Sequence, residues 1–100
     1  MTAIVSYEVT VDLAPALAEA FQAYMRGKHI PEILATGCFT GARFEQASPT
    51  RFRTCYLGTR AGLDRYLAEH TAAFREDFLR HFPEGATASR DVWSGVQSWP

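Results

Sequence analysis

The chain has 100 residues, which suits one domain with a small hydrophobic core. Its formal net charge of −1 gives no overall field toward nucleic acid or an anionic membrane, and no apolar run approaches the roughly 20 residues of a membrane span. Because 47% of the residues are nevertheless hydrophobic, a subunit interface is expected to bury some of them.

The chain starts with a strand and a helix. Apolar and polar residues alternate from Ile4 to Val11, which predicts a half-buried strand. In the helix that follows, Asp12 is the expected cap, Pro15 suits the first turn and Gly27 is the expected end. Its apolar face is formed by residues at helical spacing: Leu17, Phe21, Tyr24 and Met25.

A corner and a hairpin are expected next. Pro31 opens a short second helical piece that Gly37 closes, so His29 should lie at a corner between two helices. Residues 39–45 and 51–58 then predict two strands. The segment between them, QASPT, is too short for anything but an antiparallel hairpin.

The second half of the chain predicts one long amphipathic helix and a last strand. Thr59 is the expected cap, and Pro83 and Gly85 end the helix before a strand over residues 86–96. The apolar stripe of the helix consists of Leu63, Tyr66, Leu67, His70, Phe74, Phe78 and Phe82.

The predicted order, β-α-β-β-α-β, is that of an α+β ferredoxin-like fold. We expect residues 1–100 to form a single domain with a four-stranded antiparallel sheet and both helices on one face. The valines of the first strand should face the helices, together with Ala42, Phe44, Phe52, Thr54 and Tyr56.

The opposite sheet face would then be half apolar and half charged. Such a face should pack against a second copy of the chain and leave its charged part as a cleft. A slip of one residue in the second or third strand would exchange the two faces. The residues assigned to this open face are Ile4, Ser6, Glu8, Thr10, Phe39, Gly41, Arg43, Glu45, Arg51, Arg53, Cys55, Leu57, Ala88, Arg90 and Val92.

Three segments carry a resemblance to a known family: SYEVTVDL, YMRGKHIPEILATGCF and LDRYLAEH. They resemble a family of small bacterial proteins of unknown function in the dimeric α/β-barrel superfamily. The resemblance implies a ferredoxin-like fold and a homodimer whose sheets face each other. It implies no activity, because the superfamily includes cofactor-free monooxygenases of antibiotic biosynthesis, lactone isomerases, haem-dependent peroxidases and ligand-binding domains.

His29 is the main candidate for chemistry. At the mouth of a cleft it could act as a general base, with Glu32 nearby to orient it and Tyr24 to contact a ligand. The alternative is structural, with His29 capping carbonyls at the end of the first helix while Glu32 favours the start of the next. A core position is expected for His70 and a helix-end position for His81.

Arginines on the open face are candidates for ligand binding. Arg43, Arg53 and Arg90 could hold an anionic group, with Glu8 also in the cleft. The alternative is that Glu8 forms a cross-strand ion pair with Arg53 or Arg90 that lines a dimer interface. We predict no metal and no cofactor, since no known binding motif is present and nothing in the spacing favours a haem ligand.

Three functions remain open. The first is a homodimer that binds a small organic molecule, with anions among the candidates, in a cleft between the sheet and the helix corner. The second is a cofactor-independent monooxygenase or isomerase with His29 as its base. The third is a non-catalytic protein-interaction module. Nucleic acid and membrane partners are not expected.

Cysteine content and the tail give the last expectations. Cys38 and Cys55 fit neither a disulfide framework nor a zinc site, so we expect two unpaired thiols and a cytoplasmic protein. The N-terminus alternates like a strand and lacks a basic segment, so no signal peptide is expected. The segment after Gly95, which contains Trp99, should pack on the body or cross to a partner chain.

Overall fold

A four-stranded antiparallel sheet organises the structure, a computed structural model that describes residues 3–100. The strands lie in the order β2-β3-β1-β4. Helical segments connect β1 to β2 and β3 to β4, and both pack on one sheet face. The predicted ferredoxin-like fold is therefore confirmed. The strands are β1 (Ile4–Leu13), β2 (Gly41–Ser48), β3 (Arg51–Thr59) and β4 (Ala86–Ser94).

The first connection is one continuous helical segment, so the predicted corner is wrong. A 3₁₀ turn (Pro15–Leu17) leads into α1 (Ala18–Tyr24), a π-helical turn (Met25–His29) and α2 (Ile30–Ala35). The residues that join α1, the π-helical turn and α2 keep right-handed helical dihedral angles. Gly27, the predicted end of the helix, lies inside the π-helical turn.

Pro31 accounts for the wide turn. It has no backbone N–H, so it cannot complete the usual hydrogen bond to the carbonyl of Gly27, four residues earlier. The residue before it, Ile30, donates its N–H to the carbonyl of Met25, which is five residues earlier and not the usual four. This is the hydrogen-bond pattern of a π-helix. The helix can therefore continue through a proline rather than stop at it.

The second connection contains two helices, α3 (Arg60–Glu69) and α4 (Thr71–His81), instead of one. Thr59 caps α3 as predicted, because its side-chain oxygen accepts a hydrogen bond from the N–H of Gly62 at 3.1 Å. His70 has a φ of −123° and breaks the helix. The expected core position of His70 is wrong, since this residue is partly exposed, and Leu67 of the predicted stripe is exposed as well.

Strand register confirms the predicted faces of β1 and β3, because directly paired residues of antiparallel strands project to the same side. The inward residues pair as follows: Tyr7 with Tyr56, Val9 with Thr54, and Val11 with Phe52.

The predicted face of β4 is wrong. Arg90 pairs with Val9, so it faces the helices rather than the open side. Ala88 and Val92, two residues away in each direction, face the same way. Trp93 lies on the open face. By count the inward set is the more apolar one, with Ala86, Ala88 and Val92, but it also contains Arg90, and the largest apolar side chain of β4, Trp93, belongs to the other set. The pairing with β1 therefore identifies the face where the sequence pattern was misleading.

Phe39 also lies on the opposite side from the one predicted. It is buried against Tyr7, Tyr56 and Tyr66, with ring centroids 5.2–6.3 Å away. Phe39 precedes β2, which begins at Gly41, so strand alternation does not govern its direction.

The open face carries a ladder of charges across three strands. Arg53 on β3 lies 3.0 Å from Glu45 on β2 and 3.8 Å from Glu8 on β1. Cys55, on the same face, is buried and unpaired, and so is Cys38. No helix among residues 3–100 is both long and apolar enough to cross a membrane.

Candidate functional site

A cavity lies between the sheet and the helices. The empty space between its walls is about 480 Å³ including the open mouth, and about 40 Å³ of it can hold the centre of a water molecule. The cavity is therefore narrow. Its aromatic walls come from β1, β3, α3 and α4: Tyr7, Tyr56, Tyr66, Phe74 and Phe78.

Polar side chains are distributed along the same cavity. His29 enters it from the π-helical turn and Arg90 from β4. Thr54 lies on β3, and Thr71 and Arg75 lie on the first turns of α4. The cavity thus combines an aromatic interior with two cations and one imidazole, a composition typical of sites for small organic molecules.

His29 is held from behind by Tyr24. The hydroxyl of Tyr24 lies 3.0 Å from Nδ1 of His29, and the ring centroids are 5.2 Å apart. Phe74 and Phe78 contact the other parts of the imidazole, with ring centroids 5.9 and 6.2 Å away. Because Tyr24 is not part of the cavity wall, the Nε2 edge of the imidazole is the edge available to the cavity.

Asp77 completes this arrangement from α4. Its Oδ2 accepts a hydrogen bond from the Tyr24 hydroxyl at 2.7 Å and another from Nζ of Lys28 at 2.9 Å. Its Oδ1 accepts a third from Arg80 at 3.2 Å. Asp77 therefore connects α4 to both α1 and the π-helical turn.

The protonation states follow from these surroundings. Burial lowers the pKa of His29 to about 4, and the nearby Asp77 and Glu32 offset only part of that effect. The hydrogen bonds from Lys28 and Tyr24 hold the pKa of Asp77 well below its usual value. Burial and the Asp77 carboxylate raise the pKa of Tyr24. At neutral pH the imidazole is thus neutral, the carboxylate ionised and the phenol protonated.

Three groups of the cavity wall have no partner among residues 3–100. Neither Arg75 nor Arg90 has a carboxylate within 4.0 Å among residues 3–100. The hydroxyl of Tyr56 is buried and has no hydrogen-bond partner among those residues. The buried hydroxyl would gain a hydrogen bond that water does not supply, whereas the two arginines are exposed and are free to form charge-assisted hydrogen bonds to an anion.

Several predicted site residues lie elsewhere. Glu8, Arg43 and Arg53 are on the open sheet face, where Arg53 takes part in the ion pairs that formed the alternative prediction. Glu32 is on the exposed side of α2, paired with Lys28 at 3.2 Å. The structure brings together His29, Tyr24 and Arg90 at the helix side of the sheet and separates them from the other four.

Sequence reasoning missed Asp77 and Arg75. A signal for Asp77 was present, since it lies between Phe74 and Phe78 on the apolar side of α4, where an acidic residue needs a partner. Arg75 carried no such signal, because one arginine on a helix surface is common. Within residues 3–100, no group of three or more His, Cys, Asp or Glu side chains could hold a metal ion.

Sequence comparison decides the family. The profile described as "Domain of unknown function (DUF4286)" matches residues 4–96. The chain belongs to this family. Its membership agrees with the resemblance seen in the sequence, and the family description adds no activity. No curated protein shows significant sequence similarity to this DUF4286 chain.

Solved structures with the same fold are distant in sequence. One is a dimeric ferredoxin-like protein from an uncultured marine organism, with a TM-score of 0.70, 16% identity, and coverage of 97% of this chain and 99% of that one. Another is SnoaB, a cofactor-independent oxygenase from Streptomyces nogalater (TM-score 0.69, 14% identity, 98% of each chain). A third is a putative antibiotic biosynthesis monooxygenase from Nitrosomonas europaea (TM-score 0.69, 17% identity, 96% and 93%). At these identities they establish the fold of the DUF4286 chain alone.

Proposed function

We propose that the protein binds a small aromatic anion in the cavity between the sheet and the helices. The observation that carries this proposal is the position of Arg75 and Arg90, both unpaired within residues 3–100, beside an aromatic-walled space. Because only about 40 Å³ of the cavity is accessible to water, a flat ring would pack against the aromatic walls after these side chains move apart. A carboxylate or phenolate would accept charge-assisted hydrogen bonds from either guanidinium.

The uncharged polar groups support the same proposal. A ligand that reaches Tyr56 would satisfy a hydroxyl whose burial without a partner costs about 1–3 kcal/mol. Nε2 of His29 would provide a second hydrogen bond. The open sheet face is a poorer site, because Arg53 there is already paired with Glu45 and Glu8.

Calorimetric titration with 1-naphthoate tests this function. Arg75→Gln and Arg90→Gln should each weaken binding by about tenfold, since each removes a charge-assisted hydrogen bond. Arg43→Gln is the matched control, because it removes an arginine from the open sheet face. Failure of 1-naphthoate and related aromatic carboxylates to bind, or an equal loss in Arg43→Gln, would exclude the proposed site.

A second candidate is a cofactor-independent oxygenase or isomerase with His29 as its base. A neutral imidazole at an aromatic cavity supports it, and SnoaB of similar fold is described as a cofactor-independent oxygenase. The low pKa of His29, about 4, favours hydrogen-bond acceptance over proton removal. Oxygen uptake with anthrone, an enolisable aromatic ketone, tests the oxygenase. An oxygenase should lose uptake on His29→Gln, whereas an isomerase or a binding protein should show no uptake.

A homodimer through the open sheet face is also proposed. Ile4 and Trp93 on that face are 39% and 59% exposed. A face with large apolar side chains in water is typical of a subunit interface. A structural neighbour described as a dimeric ferredoxin-like protein supports this assembly. The dimer would leave the cavity free, because the cavity opens on the other side of the sheet.

A further inference from the structure

We propose that Tyr24 and Asp77 are positioning residues that fix the tautomer of His29, with the ring proton on Nδ1 and a free lone pair on Nε2. The tautomer follows from counting hydrogens along a chain of two hydrogen bonds. It concerns the protein without any ligand. The idea that this tautomer presents Nε2 to a bound molecule is the only part that rests on the proposed function.

Asp77 can only accept hydrogen bonds. Its carboxylate is in contact with two cations, Nζ of Lys28 at 2.9 Å and the guanidinium of Arg80 at 3.2 Å. A carboxyl group between two cations is ionised and has no proton to donate. The 2.7 Å hydrogen bond to Tyr24 must therefore use the hydrogen of the Tyr24 hydroxyl.

The hydroxyl of Tyr24 has one hydrogen, and Asp77 takes it. The 3.0 Å hydrogen bond between Tyr24 and Nδ1 of His29 then needs its hydrogen from the imidazole. A neutral imidazole has one N–H, so Nδ1 is protonated and Nε2 is not. No hydrogen-bond partner of Nε2 occurs among residues 3–100, although Glu32 and Arg90 are close enough to affect His29 electrostatically.

This arrangement defines what the cavity can accept at His29. With Nε2 unprotonated, a ligand gains a hydrogen bond there by presenting an O–H or N–H group, and an acceptor such as a carbonyl gains none. The anchor at Arg75 and Arg90 favours an anion. The ligand class inferred for the site is therefore an aromatic anion that also has a hydrogen-bond donor.

Long-range ¹H–¹⁵N correlation spectra of the ligand-free protein at pH 7 test the inference, because protonated and unprotonated ring nitrogens differ widely in ¹⁵N shift. Wild-type His29 should show a protonated Nδ1 and an unprotonated Nε2. In Tyr24→Phe the Nδ1 hydrogen loses its acceptor. In Asp77→Ala the Tyr24 hydrogen loses its acceptor and is free to turn toward Nδ1. Both variants should shift His29 toward the tautomer protonated at Nε2.

Glu76→Gln is the matched control, since Glu76 is the neighbouring acid on α4, is exposed, and pairs only with Arg80 among residues 3–100. It should leave the tautomer unchanged. A wild-type His29 protonated at Nε2 would overturn the inference, as would an unchanged tautomer in both Tyr24→Phe and Asp77→Ala. A change in Tyr24→Phe alone would overturn the role of Asp77. If either variant fails to fold, the wild-type spectrum still decides. None of these results depends on whether 1-naphthoate binds.

Discussion

Tyr24 and His29 are five residues apart in sequence, yet the Tyr24 hydroxyl lies 3.0 Å from Nδ1 of His29. In a regular α-helix, residues five apart are separated by about 140° around the axis and do not face each other. The π-helical turn that ends at His29 closes hydrogen bonds over five residues and places both side chains on one side. The wide turn is therefore what assembles the pair.

Tyr24→Phe should destabilise the protein by about 1–3 kcal/mol, because it removes hydrogen bonds to His29 and to Asp77 in a buried setting. Tyr56→Phe is the matched control. The Tyr56 hydroxyl has no partner among residues 3–100, so its removal should be neutral or stabilising. Urea unfolding measures both. Equal losses in the two variants would mean that the Tyr24 hydrogen bonds contribute nothing to stability.

Acid should destabilise the wild type more than His29→Gln. Burial lowers the pKa of His29 from 6.5 to about 4, so between these values the unfolded state binds the extra proton. The free energy of unfolding therefore falls as the pH drops through this range, by at most about 3 kcal/mol. Urea unfolding at pH 7 and pH 4.5 measures the difference.

Asp77, at the other end of the hydrogen-bond chain, affects stability in a lower pH range than His29 does. Because Lys28 lowers the pKa of Asp77 below its usual 3.8, the stabilisation from this carboxylate is lost only below about that pH. Asp77 therefore does not interfere with the measurement on His29. Parallel losses for wild type and His29→Gln between pH 7 and pH 4.5 would show that His29 is not buried as described.

Gly27→Ala should stabilise the protein by about 0.5–1 kcal/mol. Gly27 lies within a helical turn, has no positive φ, and an added Cβ would meet nothing within 4 Å. Gly62→Ala should destabilise it, because a Cβ there would collide with the carbonyl oxygen of Cys38. Thermal melts compare the two. Destabilisation by Gly27→Ala would instead support the helix end that the sequence predicts at this glycine.

Trp93→Glu should raise the dissociation constant of the proposed dimer by about 30-fold or more, as expected for a large aromatic residue that becomes buried in an interface. Leu79→Glu is the control, since Leu79 is also 59% exposed but lies on α4, on the opposite side. Sedimentation equilibrium gives both constants. A wild type of one-chain mass would rule out the dimer and favour the interaction module, for which Trp93 and Trp99 remain exposed.

The C-terminal tail, residues 96–100, can be tested with the same proposed dimer. Trp99 is 79% exposed, so the predicted packing of the tail on its own body is wrong. The N–H of Val96 donates to the carbonyl of Ile4 at 3.3 Å, which fixes only the start of the segment. Crossing to the partner chain stays a prediction. Deletion of residues 96–100 should then weaken the dimer, and an unchanged dissociation constant would leave the tail without a role in assembly.

Local patterns in the sequence were sufficient for most of the fold. The alternation of β1 and the cap at Thr59 depend on neighbouring residues, and both were predicted. The face of Arg90 depends on pairing between β4 and β1, which local patterns do not contain. The same holds for the hydrogen bond between Tyr24 and Asp77, which are 53 residues apart in the sequence. His29 was chosen as a candidate because of its residue type. Its surroundings depend on a π-helical turn, which was not predicted because Gly27 was interpreted as the end of the helix.

The ligand is proposed to lie on the helix side of the sheet, and methyl NMR spectra during titration with 1-naphthoate test this position most directly. Val9 and Ile33 line the cavity, whereas Ile4 and Leu57 lie on the open sheet face. Saturable shifts of the Val9 and Ile33 methyl groups, with those of Ile4 and Leu57 unchanged, are the predicted result. Saturable shifts confined to Ile4 and Leu57 would place the ligand between the two sheets and contradict the proposal.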